Sequence, residues 1–377
     1  MFTGSFPDIN RLFVDSLTHL METGTNVDVR GFKTRELHPA LLELKDPRKR
    51  VLTVPNRKNN VFATVAEYVW IMAGRNDLEF LSFYLSSAGN YSDDGKTWRA
   101  AYGPRLRSWA KRDGTVVDQF QEVIRILKGD PYSRRAVMVL FDPDLDFLPE
   151  SKDYPCTNWM HFLFREDALD LKVTMRSNDI VFGMSQTNIP VFTMILETMA
   201  NLLGVKVGKY YHDADSLHVY DNMYEKAQSI IASPYNFNVY DYVIPSPANF
   251  TAANYWEDLK RIFTFEHLLR REDAWQSAKA NVQAWMTLFQ DFFMRGLFGM
   301  LASYALMKWG EVDQALDILL TVEQEDLRIS GFEFFWRTKG SKAEPEKRKI
   351  YDEKILRSIR NHSPEEMGWI MRYITNG

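Results

Sequence analysis

The stretch Leu169–Leu203, LDLKVTMRSNDIVFGMSQTNIPVFTMILETMANLL, decides the fold class. It opens with an alternating apolar and polar run, Leu169–Met175, which is typical of a strand with one buried face. After a polar segment, Ile189–Leu203 has the nearly continuous apolar character of a buried helix. Pro190 is acceptable in the first turn of this helix, and Gly204 is placed to end it. A strand followed so closely by a buried helix predicts an α+β domain.

The segments before this stretch extend the mixed pattern. Helical periodicity runs through Ile9–Met21 and Val61–Met72, whereas Ala136–Phe141 is a short run typical of a strand. A Pro-rich segment near residues 245–252 then offers a boundary. Beyond it strand patterns fade, and helical spacing runs through Tyr255–Arg271, Ala274–Lys308 and Glu311–Glu323.

We therefore expect a catalytic α+β domain over residues 1–245 and an all-helical C-terminal extension over residues 246–377. Within the extension, the apolar stretch Phe292–Trp309 is interrupted by Arg295 and falls short of the ~20 clean apolar residues that a bilayer requires. It predicts a buried helix. The charged segment Lys339–Lys349, KGSKAEPEKRK, is expected to be a solvated loop.

Composition excludes several classes of protein. The chain has 377 residues, 45% of them hydrophobic, which is enough for a large domain and a smaller one. A net charge of −4 argues against a general nucleic-acid binder. The N-terminal residues have no targeting pattern, so we expect a cytoplasmic protein that is not bound to a membrane. With one cysteine the chain can form no intramolecular disulfide.

That cysteine, Cys156 in YPCTNW, is the first candidate for chemistry. A lone cysteine is more often an inert core residue than a nucleophile. Arginines at strand ends make the nucleophile interpretation more favourable, because they can hold a phosphate and their charge lowers the pKa of a nearby thiol. Two such groups are present, Arg134 with Arg135 and Arg176 beside Ser177. For any single arginine, a surface salt bridge remains the ordinary interpretation.

Two further features carry ionisable groups. Glu67 lies within an apolar helical run, where a carboxylate is protonated, paired or catalytic if it is buried, and unremarkable if it touches solvent. The segment YHDADSLHVYDN crowds His212, Asp213, Asp215 and His218 together, which suggests a metal site or a phosphohydrolase. Strand alternation gives no third ligand a firm spacing, so we expect no metal.

The candidate residues follow a recognisable order. Along the chain come Glu67, YGPR (Tyr102–Arg105), SRR (Ser133–Arg135), Pro155–Cys156, RSND (Arg176–Asp179), Gly183, Asn188 and HVY (His218–Tyr220). This order and spacing resembles that of thymidylate synthases and their nucleotide hydroxymethylase relatives over about residues 9–245. The resemblance implies a thymidylate synthase-like mixed sheet with helices and a homodimer with shared active sites.

The resemblance also implies a role for each matching residue. Cys156 is expected to be the nucleophile that adds to C6 of a pyrimidine deoxynucleotide, and Glu67 and Tyr102 are expected to manage proton transfers. The 5′-phosphate is expected to contact Arg176, Ser177, Arg30 and, from the partner subunit, Arg134 and Arg135.

The remaining roles concern the folate, the base and the sugar. Asp179 is expected to contact the pterin of the co-substrate 5,10-methylenetetrahydrofolate, and His218 with Tyr220 the deoxyribose 3′-hydroxyl. Asn188 is expected to contact the pyrimidine edge, where its amide suits uracil better than cytosine. Because the stretch GMSQTN is one residue longer than in a typical synthase, Thr187 is the alternative reader of the base.

The product depends on whether water reaches the intermediate. Thymidylate synthases generally exclude water with tryptophans upstream of the YG motif and with an apolar C-terminus. Here the upstream region AGNYSDDGKTWRAAYG keeps only Trp98, and the final residues IMRYITNG lack the closing signature. The sequence therefore favours a dUMP hydroxymethylase, of the kind that viruses use for modified DNA. The alternatives are a thymidylate synthase, then a dCMP hydroxymethylase, and an inactive nucleotide-binding or docking protein.

Overall fold

The computed structural model describes three stretches of the chain, residues 1–147, 150–233 and 237–376. These residues group into two compact units. The first comprises Met1–Arg50 and Ala66–Ile231, and the second comprises Val51–Val65 and the described residues from Ala232 onward. No helix within the described ranges is long and apolar enough to cross a membrane. The predicted boundary at residues 245–246 stays a prediction.

Within the described residues, the strands all belong to the first unit. They are β1 Phe2–Phe6, β2 Thr25–Val29, β3 Phe32–Leu37, β4 Ala40–Leu44, β5 Trp109–Ala110, β6 Val116–Val117, β7 Val137–Val139, β8 Thr157–Arg165, β9 Ala168–Met175, β10 Asn178–Asp179, β11 Lys206–Ala214 and β12 Leu217–Tyr220. Six of them form a mixed sheet in the order β1-β4-β11-β9-β8-β7, and four form a second sheet in the order β10-β12-β3-β2.

Register places the chemically interesting strand ends together. Thr157 pairs with Met175, so the start of β8 lies beside the end of its antiparallel neighbour β9. The short strand β10 follows at once and runs parallel to β12, pairing Asn178 with Leu217 and Asp179 with His218. The residues that precede β8 and those that follow β9 are therefore neighbours, at the end of the large sheet where β8 begins and β9 ends.

The helices of the first unit cover and extend these sheets. They are α1 Ile9–Thr23, α2 Val61–Met72, α3 Leu78–Tyr84, α4 Tyr102–Arg107, α5 Gln119–Gly129, α6 Pro143–Asp146, α7 Ile189–Leu203 and α8 Tyr224–Ile231, with a π-helix at Ile180–Asn188. The first residues of α2, 61–65, group with the second unit. Together with the sheets, these helices confirm the predicted α+β class.

Helix α7 forms the centre of the first unit. It contacts β9 and β11, and thirteen of its fifteen residues are buried. Pro190 lies in its first turn, and Gly204 ends it with a left-handed backbone at φ 71°. These are the features that the sequence predicted, and the predicted helices at the positions of α1 and α2 are confirmed as well.

The described part of the second unit is helical, as predicted. Its helices are α9 Ala252–Arg270, α10 Trp275–Met286, α11 Phe292–Lys308, α12 Val312–Leu320, α13 Glu325–Thr338, α14 Pro345–Ile359 and α15 Pro364–Asn376. Residues 51–65 belong to this unit, where the ring of Phe62 stacks on Phe335 at 4.6 Å. The predicted buried helix at Phe292–Trp309 is confirmed as α11.

The prediction of a charged loop over Lys339–Lys349 is wrong in its second half. Helix α14 begins inside it, with Pro345 in the first turn and Glu346 directly after. Proline fixes a helical φ and needs no amide partner at that position, and an acidic residue there opposes the positive end of the helix dipole. The many charged residues of this segment indicate exposure to solvent, but they do not distinguish a loop from the exposed first turn of a helix.

Candidate active site

Cys156 and Arg176 are held next to each other by the pairing of β8 with β9. Cys156 directly precedes β8, and Arg176 directly follows β9. The backbone N–H of Arg176 donates to the carbonyl oxygen of Cys156 at 3.0 Å, and its Nε donates to the carbonyl oxygen of Pro155 at 3.0 Å. The exposed guanidinium is therefore fixed beside the thiol, and among the described residues its two Nη groups have no hydrogen-bond partner.

The electrostatics of the thiol differ from the simple expectation. Burial raises the pKa of Cys156, the charge of Arg176 lowers it, and the carboxylates of Asp153 and Asp179 raise it, with a net shift upward. The predicted effect of a neighbouring arginine is present but is outweighed by burial and two acidic neighbours. In the ligand-free protein the thiol form of Cys156 is thus favoured.

Tyr102 lies beside Thr157, the residue that follows Cys156. It begins α4, and its hydroxyl oxygen accepts hydrogen bonds from the backbone N–H of Thr157 at 3.2 Å and from the Thr157 hydroxyl at 2.9 Å. Burial raises the pKa of Tyr102, and the negative charges of Cys156 and Glu67 raise it further. Tyr102 is therefore a neutral hydroxyl positioned within electrostatic range of both groups.

The other residues of the YGPR motif have structural roles. A Cβ on Gly103 would lie 2.4 Å from the carbonyl oxygen of Arg75, so a side chain is excluded there. Arg105 is buried and makes a bidentate ion pair with Asp146 at 2.5 and 2.8 Å. Only Tyr102 of this motif is placed for chemistry.

Glu67 is buried near the middle of the α2 helix, where its side chain is 7% exposed. Burial raises the pKa of Glu67 to about 7, and a hydrogen bond with Thr187 opposes part of that shift. A carboxyl group with a pKa near neutrality can both give and take a proton at physiological pH. This favours the catalytic interpretation of Glu67 over that of a solvated helix residue.

The one-residue-longer stretch before α7 forms a π-helix, Ile180–Asn188. A π-helix places an additional residue in a helical turn, and such turns are frequent at functional sites. Asp179 caps it by accepting hydrogen bonds from the backbone N–H groups of Val181 at 2.9 Å and Phe182 at 3.3 Å. The additional residue of this stretch therefore lies within the π-helix, which ends where α7 begins.

The two candidate base readers have different partners in the π-helix. Thr187 is hydrogen-bonded to Glu67. Asn188 is buried, and its Oδ1 accepts a hydrogen bond from Nδ2 of Asn178 at 2.8 Å. Asn178 of the RSND motif is buried on the two-residue strand β10, and no pattern in the sequence alone indicates this contact with Asn188.

His218 and Tyr220 lie on β12, beside the β10 strand that carries Asp179. The His218 ring meets the Tyr220 ring edge to face at 5.1 Å. Burial raises the pKa of Tyr220, and the negative charges of Asp179 and Cys156 raise it further. Tyr220 therefore lies within electrostatic range of Cys156, and the His218 ring packs against it.

Arg30 occupies the two-residue turn between β2 and β3. Its φ is 55° and that of Gly31 is 84°, the left-handed pair that a tight hairpin turn needs. The charge of Arg30 lowers the pKa of Tyr220, so this arginine lies within electrostatic range of the site. Its exposed side chain is free to approach an anion.

Arg134 and Arg135 are also exposed, between α5 and β7. Within the stretches that the structure describes, neither guanidinium makes a hydrogen bond or ion pair. The single chain does not bring them against Arg176 by any such contact, which agrees with a role toward an external anion.

The alternative of a metal site or phosphohydrolase built on His212 and Asp213 finds no support. His212 is fully buried, and both ring nitrogens are engaged, Nδ1 with the Tyr210 hydroxyl at 2.9 Å and Nε2 with Asn178 Oδ1 at 2.8 Å. Asp213 is paired with Lys172 at 2.6 Å. Among the described residues no group of three or more His, Cys, Asp or Glu side chains could hold a metal ion.

A thiol beside a fixed arginine, with a buried carboxyl group and a neutral tyrosine close by, defines a site for covalent chemistry on an anionic substrate. The family model described as thymidylate synthase matches residues 11–257, and the chain belongs to the thymidylate synthase family.

Three curated relatives of this chain come from phages. The chain is 39% identical over 245 residues to the deoxyuridylate hydroxymethyltransferase of Bacillus phage SP01, a match that covers 63% of each chain. It is 34% identical to the deoxyuridylate hydroxymethyltransferase of Delftia phage PhiW-14, over 57% of this chain and 61% of the relative. The protein of the same name from Pseudomonas phage M6 is 35% identical, over 48% and 50% respectively. The matches thus span between half and just under two thirds of these relatives.

Proposed function

We propose that this protein is a deoxyuridylate hydroxymethyltransferase, which uses 5,10-methylenetetrahydrofolate to build a hydroxymethyl group on C5 of dUMP. The observation that carries the proposal is the attachment of Arg176 to the backbone of Pro155 and Cys156, which keeps an anion-binding group beside a nucleophile. The names of the three phage relatives support the choice of substrate and product.

Substrate binding would begin with the 5′-phosphate. Among the described residues the Nη groups of Arg176 have no partner, so they could contact phosphate oxygens bidentately; Ser177 follows Arg176, and Arg30 extends from its hairpin turn. His218 and Tyr220 would bind the deoxyribose 3′-hydroxyl. Asn188 would read the uracil edge, and Asp179, half-buried at the start of the π-helix, would contact the pterin.

The covalent step would begin with deprotonation of Cys156. Because its pKa is raised in the free protein, the thiolate has to form as substrate binds, with Arg176 stabilising the negative charge. Thiolate addition to C6 moves an electron pair to C5 and O4, so C5 becomes a carbon nucleophile. C5 would then attack the methylene carbon of the folate as one of the two carbon–nitrogen bonds of that carbon breaks, and the second carbon–nitrogen bond would break later, when tetrahydrofolate leaves.

The proton on C5 must leave before the folate does. Glu67, with a pKa of about 7, and the neutral Tyr102 hydroxyl are suited to this transfer. Loss of tetrahydrofolate leaves an exocyclic methylene on C5. Water adds to that carbon, the Cys156 sulfur leaves C6, and the sum is dUMP, methylenetetrahydrofolate and water going to 5-hydroxymethyl-dUMP and tetrahydrofolate.

The surroundings of Trp98 favour water over hydride as the final reactant. Its Nε1 donates to the carbonyl oxygen of Ala88 at 2.8 Å, and its ring packs edge to face on Trp70 at 5.7 Å. Trp98, the one tryptophan of the upstream segment, is thus held by contacts with Ala88 and Trp70. The neighbouring Asp94 accepts hydrogen bonds from the backbone N–H groups of Lys96 and Thr97, so this part of the upstream segment is a polar turn.

The product identifies the activity. Purified protein would be incubated with dUMP and 5,10-methylenetetrahydrofolate, the nucleotide analysed by mass, and dihydrofolate followed by absorbance. We expect 5-hydroxymethyl-dUMP without dihydrofolate. Formation of dTMP with an equal amount of dihydrofolate would instead establish a thymidylate synthase. If Cys156→Ser retained turnover, covalent catalysis at this residue would be refuted.

The unpartnered state of Arg134 and Arg135 supports a dimer in which each chain supplies these arginines to its partner's phosphate site. Mixing Cys156→Ser protein with an Arg134→Gln/Arg135→Gln variant tests this. Each variant is inactive alone, but a mixed dimer has one site with both an intact cysteine and intact arginines. Random exchange of subunits should restore about a quarter of wild-type activity. No restoration after verified exchange would contradict shared sites.

A further inference from the structure

A chain of buried hydrogen bonds leads from the core of the first unit to Asn188. The Tyr210 hydroxyl lies 2.9 Å from Nδ1 of His212, Nε2 of His212 lies 2.8 Å from Oδ1 of Asn178, and Nδ2 of Asn178 donates to Oδ1 of Asn188 at 2.8 Å. Tyr210 and His212 are fully buried, Asn178 is 3% exposed and Asn188 is 7% exposed. The mechanism proposed above uses only the last of these four residues.

The direction of donation along this chain follows from its chemistry. Asn178 Oδ1 carries no hydrogen, so Nε2 of His212 must be the protonated nitrogen. Burial lowers the pKa of His212 to about 4, so the ring is neutral and its Nδ1 can only accept. The Tyr210 hydroxyl therefore donates to Nδ1, and both ring nitrogens of His212 are hydrogen-bonded.

The reverse direction is disfavoured by Tyr210. If the Asn178 amide were flipped, His212 Nδ1 would carry the hydrogen and donate to the Tyr210 oxygen. The Tyr210 O–H would then need an acceptor of its own, and the described residues provide it with no partner other than His212 Nδ1. Leaving a fully buried hydroxyl donor unsatisfied is costly, so the core end of the chain fixes the orientation of both amides.

The fixed direction determines what Asn188 can offer to a base. Its Oδ1 faces the Asn178 amide, which leaves Nδ2 as a donor for the bound pyrimidine. A donor matches the O4 carbonyl of uracil and opposes the C4 amino group of cytosine. The carbonyl oxygen Oδ1 has a second lone pair, so it can still accept from N3–H of uracil.

We propose that Tyr210, His212 and Asn178 are positioning residues that hold the Asn188 amide in the orientation that selects uracil over cytosine. The proposal rests on the proposed function, because it concerns the base that Asn188 reads. Gly183 leaves room for the arrangement, since a Cβ there would lie 2.8 Å from Asn178 Nδ2 and 3.2 Å from Asn188 Oδ1.

The sharpest test is Asn178→Asp. An ionised carboxylate can only accept, so it takes hydrogen bonds from His212 and from Nδ2 of Asn188, which turns the Oδ1 of Asn188 toward the base. We expect kcat/KM for dUMP to fall and the ratio of dCMP to dUMP turnover to rise by about tenfold or more. The exposed Asn281→Asp on α10 is the control and should leave the ratio unchanged.

Selectivity is the informative readout, because a general loss of structure lowers turnover of both nucleotides together. If folded Asn178→Asp keeps the wild-type ratio, the positioning role is refuted. If Asn178→Asp does not fold, Tyr210→Phe keeps the ring and removes only the donor that fixes the direction, and it should shift the ratio toward dCMP by at least about threefold. An unchanged ratio in Tyr210→Phe would then overturn the proposal.

Assays of the wild-type enzyme with dUMP and dCMP distinguish failure of this proposal from failure of the proposed function. Folate-dependent hydroxymethylation of dCMP in preference to dUMP by the wild type would refute the deduced direction of the chain while leaving a hydroxymethylase. Absence of turnover with either nucleotide would refute the function itself. In that case binding of dUMP and dCMP, measured by calorimetry on wild type and Asn178→Asp, still tests the orientation of Asn188.

Discussion

The Nε of Arg176 donates a 3.0 Å hydrogen bond to the carbonyl oxygen of Pro155, one residue before Cys156. A bond through Nε fixes the plane of the guanidinium and leaves both Nη groups for another partner. The position of the positive charge relative to Cys156 is therefore set by the backbone rather than by a flexible side chain. An anionic substrate that binds there is oriented as well as attracted.

Replacement of Arg176 by glutamine tests whether this charge binds the phosphate. Charge-assisted hydrogen bonds contribute about 1.5–3 kcal/mol each, so we expect KM for dUMP to rise by about tenfold to a hundredfold or more. Steady-state kinetics with dUMP and with deoxyuridine, which lacks the phosphate, separate binding from chemistry. Arg125→Gln is the control, because this exposed arginine on α5 pairs with Glu122 and with no other residue that the structure describes. An equal loss with both substrates would argue against phosphate contact.

Glu67→Gln should remove a proton-transfer group with a pKa of about 7. We expect kcat to fall by about 10²–10⁴ and the inflection near pH 7 in the pH–rate profile to disappear. The profile of kcat from pH 5.5 to 8.5, recorded for both proteins, provides the measurement. A profile that keeps its inflection in Glu67→Gln would assign that ionisation to another group.

The same substitution should change how stability depends on pH. Because burial raises the pKa of Glu67 from 4.5 to about 7, the wild type loses stability as pH rises from about 4.5 to 7, after which the cost is constant. Relative to the wild type, Glu67→Gln should therefore gain up to about 3 kcal/mol in free energy of unfolding between pH 5 and pH 8. Urea unfolding at the two pH values measures this, with the exposed Glu353→Gln as control. An identical pH dependence would mean that Glu67 is not buried as described.

Local sequence patterns were enough for the elements that carry their own periodicity. Helices α1, α2 and α7 follow from apolar spacing, and the end of α7 follows from Gly204, because these signals depend on residues within a few turns of each other. The start of α14 at Pro345 was missed because a run of charges describes a solvated surface and not a conformation.

The site was predicted as a set of residues but not as a set of interactions. Pairing of β8 with β9 brings together Cys156 and Arg176. Only the structure shows that Asp153 and Asp179 lie near the thiol, where their charges act with burial to raise its pKa. His212 illustrates the limit most clearly. Its sequence neighbours suggested a metal ligand, whereas its actual partners come from β10 and from its own strand, and no short-range pattern contains that pairing.

Gly204→Ala isolates the cost of backbone conformation. Gly204 ends α7 at a φ of 71°, and a Cβ there would meet no atom within 4 Å. Any loss of stability must then come from forcing a side-chain-bearing residue into the left-handed region, which costs about 1–2 kcal/mol. Urea unfolding would be compared with Gly129→Ala, whose Cβ is equally unobstructed but whose φ is not in the left-handed region. Equal stability of the two variants would show that the left-handed end of α7 is not strained.

Gly183→Ala tests a contact that is close to the base-reading amide without removing any polar group. The new Cβ would lie 2.8 Å from Asn178 Nδ2. Asn178 is buried and held by His212 and Asn188, so it cannot move aside without breaking one of these hydrogen bonds. We expect a loss of about 1–3 kcal/mol in free energy of unfolding and a fall of tenfold or more in kcat/KM for dUMP.

Gly129→Ala is the control for this substitution and should leave kcat/KM unchanged. Wild-type kinetics in Gly183→Ala would mean that the Asn178–Asn188 contact can shift freely, and that the orientation of Asn188 is set by the substrate instead.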